Sequence, residues 1–138
     1  MLALFHLLTM KLKKSDTIVT INYKPIEIEK QVFNQTGFLD YINNNFHENN
    51  LTVEQVSNNT GINERRIATV IQENFGCNFK TYVNQIRINE SKRLLKESDL
   101  NIGEIAFKVG FNNQSHFNRV FKAMNGSSPS EFREMVKH

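Results

Sequence analysis

The sequence predicts an all-α, seven-helix fold: two helix-turn-helix subdomains joined by a long linker helix, behind a short N-terminal arm of β-like character. Three observations predict it. From Phe38 onward apolar residues recur at i, i+3 and i+4, the spacing of helices that bury one face. Glycine closes four of these runs, at Gly61, Gly76, Gly110 and Gly126, where a helix can end in a left-handed residue. The pattern also repeats. Leu51, Val53, Val56 and Gly61 match Leu100, Ile102, Ile105 and Gly110 at an offset of 49. After a turn one residue longer, Ile67, Val70, Ile71 and Gly76 match Phe117, Val120, Phe121 and Gly126 at an offset of 50.

Residues 1–30 stand apart from this pattern. Met1–Met10 is apolar, Lys11–Lys14 is basic, and Thr17–Glu29 carries Ile18, Ile21, Tyr23, Ile26 and Ile28, broken by Pro25. Such a segment reads as an arm or as the remnant of an upstream sensor. Ten apolar residues fall short of the roughly twenty that span a bilayer as a helix. The alternative is the cytoplasmic end of a membrane helix, if the natural chain begins further upstream, because Leu-rich sequence runs into Lys-Leu-Lys-Lys.

The first unit is placed at 31–77. Its first helix turns Phe38, Leu39, Ile42 and Phe46 inward and ends at Asn49-Asn50. Thr52 caps a second helix with Val53 and Val56 inward, stopped by Gly61. Asn63 caps a third, whose apolar face is Ile67, Val70, Ile71 and Phe75, stopped by Gly76. The linker, 78–97, holds a helix over Phe79–Glu97 with Phe79, Tyr82, Val83, Ile86, Leu94 and Leu95 as its core face. In the second unit, 98–138, Ile102, Ile105, Ala106 and Val109 line a fifth helix that ends at Gly110. Gln114–Asn125 is the sixth, with Phe117, Val120, Phe121 and Met124 inward. Ser128-Pro129-Ser130-Glu131 is a capping box with proline at the first helical position, opening a last helix through Phe132 and Val136.

Composition narrows the function. A 138-residue chain that is 39% hydrophobic can bury the core of one ordinary domain plus an appendage. The single cysteine, Cys77, excludes an internal disulfide and a cysteine-based zinc site, and suits a reducing cytoplasm. It reads as a thiol at a loop or core edge rather than a redox sensor. His6, His47, His116 and His138 are too dispersed to hold a metal. No glycine-rich phosphate loop or Ser/His/Asp signature is present, so the expectation is no catalytic residue, cofactor or metal. Nineteen scattered asparagines carry no evident message. The net charge of +3 is uneven: residues 31–62 have three acids and no Lys or Arg, whereas 63–138 have twelve Lys/Arg against eight acids. A basic C-terminal half is the polarity of a phosphate-binding surface.

The faces opposite the apolar stripes sharpen this. On the third helix they present Arg65, Thr69 and Gln72, flanked by Arg66 and Ala68. On the sixth they present Gln114, Ser115, Asn118, Arg119 and Lys122. Arginine suits guanine O6 and N7, Gln or Asn suits adenine, and the methyls of Thr and Ala suit that of thymine. Arg66, His116 and Lys122 fit phosphates better than bases. One such face is an ordinary polar helix surface. Two at equivalent repeat positions point to reading of the DNA major groove.

These residues carry a resemblance. The run Ile102-x2-Ile105-Ala106-x3-Gly110-Phe111-x5-Phe117-x-Arg119-x-Phe121-Lys122-x3-Gly126-x-Ser128-Pro129-x2-Phe132-Arg133 resembles the signature of AraC/XylS-type transcriptional regulators. The resemblance extends from about residue 38 to 138, with Arg87 and Leu94-Leu95 resembling the start and end of that family's linker helix. It implies recognition helices in two successive major grooves of double-stranded DNA. Base-facing positions would be Arg65, Ala68, Thr69 and Gln72 in the first unit, and Gln114, Ser115 and Arg119 in the second. It further implies a sequence-specific regulator of bacterial promoters, commonly an activator touching RNA polymerase, cytoplasmic and nucleoid-associated. No small-molecule site is expected within 31–138, and this chain is expected to act as a monomer. Asn63 and Thr69 replace the usual Ser and Arg, and Ser57 and Ser91 replace usual alanines, which shifts weight to the second unit. The alternative is a protein-interaction module, or the output domain of a larger sensor, with weak DNA affinity of its own.

Overall fold

In the computed structural model, which describes residues 37–137, every regular element is a helix. Helix α1 covers 37–45; then follow α2 (Val53–Thr60), α3 (Glu64–Phe75), α4 (Phe79–Glu97), α5 (Ile102–Lys108), α6 (Gln114–Asn125) and α7 (Pro129–Lys137). The β-like run Thr17–Glu29 and the apolar Met1–Met10 lie outside the described residues.

Local chemistry sets most boundaries. Thr52 and Asn101 open α2 and α5 with capping boxes closed by Gln55 and Glu104. Asn63, Asn78 and Asn113 cap α3, α4 and α6 by accepting from the backbone N–H of Arg65, Thr81 and His116. At the opposite ends, Asn45, Asn59, Asn74 and Asn125 each donate Nδ2 to the carbonyl four residues back. The asparagine abundance therefore has a physical role: it brackets helices at both termini. Ser128 and Glu131 exchange the hydrogen bonds expected of them at the start of α7.

The two units end their leading helices differently. Gly61 is itself the left-handed cap of α2. In the second unit α5 stops sooner, at Lys108, and Gly110 sits one residue past the cap with φ +109°. Gly110 N–H bonds the Phe107 carbonyl at 3.1 Å and Phe111 N–H bonds that of Ala106 at 2.9 Å, a Schellman closure.

Two apolar cores result, both served by α4. Phe38, Ile42, Val56, Ile67, Val70, Ile71, Tyr82 and Val83 form the first. Ile88, Leu94, Leu95, Ile105, Ala106, Val109, Phe111, Phe117 and Phe121 form the second. The N-terminal half of α4 thus supplies one unit and its C-terminal half the other. Because α4 packs on several sides, it also buries Asn84, Arg87 and Ser91, which sequence periodicity gave no reason to place inside. The Ser91 hydroxyl donates to the Ile88 carbonyl at 2.7 Å, which satisfies this fully buried serine. At the far end α7 holds the linker: Arg133 Nε reaches the Leu95 carbonyl at 3.2 Å, and Lys137 Nζ reaches the Ser98 carbonyl at 3.0 Å and Asp99 at 2.9 Å. Cations here meet the unpaired carbonyls of a helix C-terminus.

Four expectations need correction. Phe75 and Met124, expected inward, are 45% and 38% exposed. Each lies on the last turn of its helix, past the reach of the core beneath, although the Phe75 ring still packs on Tyr82 at 4.6 Å. Phe46 falls in the turn after α1 rather than within it. Arg87 stands in the middle of α4, not at its start.

Candidate nucleic-acid interface

Helices α3 and α6 occupy equivalent places in the two units, and both are twelve residues long. Each is anchored by buried apolar residues, Ile67, Val70 and Ile71 in α3, Phe117 and Phe121 in α6. With one stripe fixed in the core, the remaining face is held toward solvent. Arg65, Arg66, Ala68, Thr69 and Gln72 are all exposed on α3, and Gln114, Ser115, Arg119 and Lys122 on α6. Among the described residues no carboxylate pairs with Arg65, Arg66, Arg119 or Lys122; the acidic partners engage Arg93, Lys137 and His47 instead.

Individual side chains differ in their freedom. The Thr69 hydroxyl donates to the Arg65 carbonyl at 2.8 Å, so its hydrogen is committed to its own helix. Gln114 folds back over the start of α5: a Cβ on Gly103 would lie 3.0 Å from its Oε1. Asn118 is half-buried, and its Oδ1 is shielded from solvent with no hydrogen-bond partner among the described residues. It belongs to the edge of α6 rather than to the open face that carries Arg119.

His116 also departs from a simple outward position. Its ring is half-buried and stands edge-on to Phe111, with centroids 5.4 Å apart. Burial, together with the positive charges of Arg119, Lys80 and Arg87, holds its pKa below the ordinary histidine value. A histidine that resists protonation when folded costs stability once the unfolded chain can take up the proton. Stability is therefore expected to be full above pH 7 and to decline as pH falls through about 6.5, the unperturbed value. Thermal unfolding of the wild type and of His116→Gln at pH 7.5 and 5.5 measures this; the variant should lose less on acidification.

Sequence reasoning missed three residues beside this face. Lys80 on the first turn of α4, with Asn84 and Arg87 further along it, lines a cleft between the two units together with Gly110, Phe111, Asn112 and His116. Arg87 holds the units in register. Its Nε donates to the Phe46 carbonyl and its Nη2 to that of Glu48, both at 2.8 Å, while its guanidinium lies 5.7 Å from the Phe111 ring centroid. The resemblance marked Arg87 only as part of the linker helix, and the apolar spacing of that helix gives no sign that it turns inward. Cys77 is half-buried at the margin of the first core, an edge thiol. No group of three or more His, Cys, Asp or Glu that could hold a metal occurs among the described residues, nor does any helix long and apolar enough to cross a membrane.

A family model described as a helix-turn-helix domain matches residues 56–135. The probable transcription factor PqrA of Proteus vulgaris is 30% identical over 84 residues, covering 61% of this chain and 69% of PqrA. The arabinose operon regulatory protein of Escherichia coli K12 is 30% identical over 93 residues, covering 67% of this chain but 32% of that protein. The chain thus spans about a third of the arabinose regulator's length. Among solved structures, the C-terminal domain of AraT, a response regulator from Geobacillus stearothermophilus, superposes with a TM-score of 0.69 at 28% identity, covering 74% of this chain and 84% of that one. The paired helix-turn-helix units, the linker between them and these likenesses agree: the chain belongs to the AraC family of helix-turn-helix transcriptional regulators, which are not enzymes.

Proposed function

We propose that the chain is a sequence-specific reader of double-stranded DNA that regulates bacterial promoters, more as an activator than as a repressor. The observation that carries this reading is the equivalence of α3 and α6. Both are capped by asparagine, anchored by a buried apolar stripe and armed on the outer face with arginine that no carboxylate restrains among the described residues. Chance would not put that combination at both repeat positions.

In this reading Arg66, His116 and Lys122 set the register by holding phosphates, and bases are read by Arg65, Ala68, Thr69 and Gln72 in one groove and Gln114, Ser115 and Arg119 in the next. Thr69, its hydroxyl hydrogen spent on the helix, offers its methyl to thymine. The α4 linker is packed into both cores, so the units cannot reorient freely and a duplex that engages both must bend toward them. Contact with RNA polymerase, action as a monomer and a cytoplasmic, nucleoid-associated location complete the proposal.

In-vitro selection of random duplex DNA by the purified chain tests it. Two conserved blocks about ten base pairs apart are expected. Arg119→Ala should relax the preference in one block and weaken binding about 5- to 150-fold, the worth of one bidentate arginine–guanine contact of about 1–3 kcal/mol. One block alone would restrict base reading to the second unit. Absence of enrichment at moderate salt would sink the reading and favour the protein-interaction module.

A further inference from the structure

The cleft between the two units has properties that two outward-facing helices do not require. It has a volume of about 400 Å³ and is bounded by the start of α2 at Thr52 and Val53, by Phe79, Lys80, Val83, Asn84 and Arg87 of α4, and by the Gly110–Asn112 turn with His116. Its lining contains two obligate cations and a histidine but no carboxylate. Elsewhere among the described residues Arg93 is matched by Glu90 and Glu97 along its own helix, and Lys137 by Asp99. Asn84 is a second, independent observation. It is 8% exposed, lines the cleft, and its side-chain amide makes no hydrogen bond among the described residues. Its amide is not enclosed, as Asn118 Oδ1 is, but opens into the cleft, where an acceptor can reach it.

We propose that this cleft is a seat for a phosphate group, filled by a phosphodiester of the duplex backbone where it passes between the two grooves. Lys80 and His116 face the anion, Asn84 donates its amide, and Arg87 contributes charge from behind. The Arg87 position suits that background role, since Nε and Nη2 are already committed to the Phe46 and Glu48 carbonyls. The seat rests on the DNA-reading proposal and adds to it a contact made by the linker helix. It explains why cations are concentrated where Arg119, Lys80 and Arg87 all act on His116: the anion that would relieve their mutual repulsion comes with the ligand. The groups facing His116 are Phe111 and Arg119 from the second unit and Lys80 and Arg87 from α4, with no acid among them.

The decisive experiment measures DNA affinity against salt for the full chain on a mixed-sequence duplex, comparing wild type with Lys80→Gln and Lys80→Glu. Lys80 is exposed at the first turn of α4, so both variants should fold. If the seat takes a backbone phosphate, Lys80→Gln flattens the slope of log K against log salt by about 0.9, the contribution of one neutralised phosphate, and Lys80→Glu weakens binding further. The base preferences recovered by selection should stay unchanged in both. A steep wild-type slope left intact by both substitutions would overturn the seat while sparing the DNA reading; a flat wild-type slope would overturn both. A second arm adds inorganic phosphate and follows the His116 ring and the Asn84 amide by NMR. Saturable shifts in those two groups combined with an unchanged DNA slope would assign the cleft to a free phosphate compound and overturn the duplex as its source.

Discussion

Gly110→Ala is expected to destabilise the fold by about 3–5 kcal/mol, more than any other single glycine replacement in the chain. Two costs combine. Gly110 has φ +109°, which a side chain disfavours. A Cβ there would also stand 2.7 Å from the Phe46 carbonyl oxygen and 2.8 Å from Arg87 Nε, inside any permitted contact. Neither neighbour is the free end of a flexible chain, because those same atoms are hydrogen-bonded to each other at 2.8 Å. Relief of the clash therefore breaks the bond that joins the units. Gly61, Gly76 and Gly126 make the control: all have positive φ, but nothing lies within 4 Å of an added Cβ. Alanine at those sites should cost only the conformational strain, about 1–2 kcal/mol. Denaturant midpoints for the four variants check the argument, and equal losses at all four sites would refute it.

Arg87→Met should be the next most damaging, at about 2–3 kcal/mol, even though it removes a charge from a buried place. Arg87 is 9% exposed and has no carboxylate partner among the described residues, and burial lowers its pKa. What retains it is two hydrogen bonds to backbone carbonyls 41 and 39 residues away in sequence. Methionine preserves the aliphatic stem but leaves the Phe46 carbonyl without its donor, strips the Glu48 carbonyl back to the Leu51 N–H, and frees the turn after α1. Hydrogen exchange should then accelerate at 37–47 before the second unit responds. Arg87→Lys should recover little, since one ammonium cannot reproduce the forked reach of a guanidinium. A loss below about 0.5 kcal/mol would show that the arginine is tolerated rather than needed.

Local physics made much of this protein legible in advance. The spans of α4 and α6, the caps at Thr52, Asn63 and Ser128, and the stops at Gly61 and Gly76 depend on residues within a few positions of one another. The exposed faces of α3 and α6 followed because burying one stripe of a helix exposes the other. The same logic failed at Phe75 and Met124, whose periodicity continues one turn beyond the core that would cover it.

The sequence by itself thus determined the two-unit, all-helical plan and its outward arginines, since period, cap and repeat are properties of neighbouring residues. Only the tertiary structure decided that Gly110 lies against Phe46, that Arg87 bridges the units, and that Lys80, Asn84 and His116 share one cleft. Those contacts join positions tens of residues apart, and no local spacing encodes them. They exist because α4 is buried by two cores at once, which draws its polar residues into the junction between them.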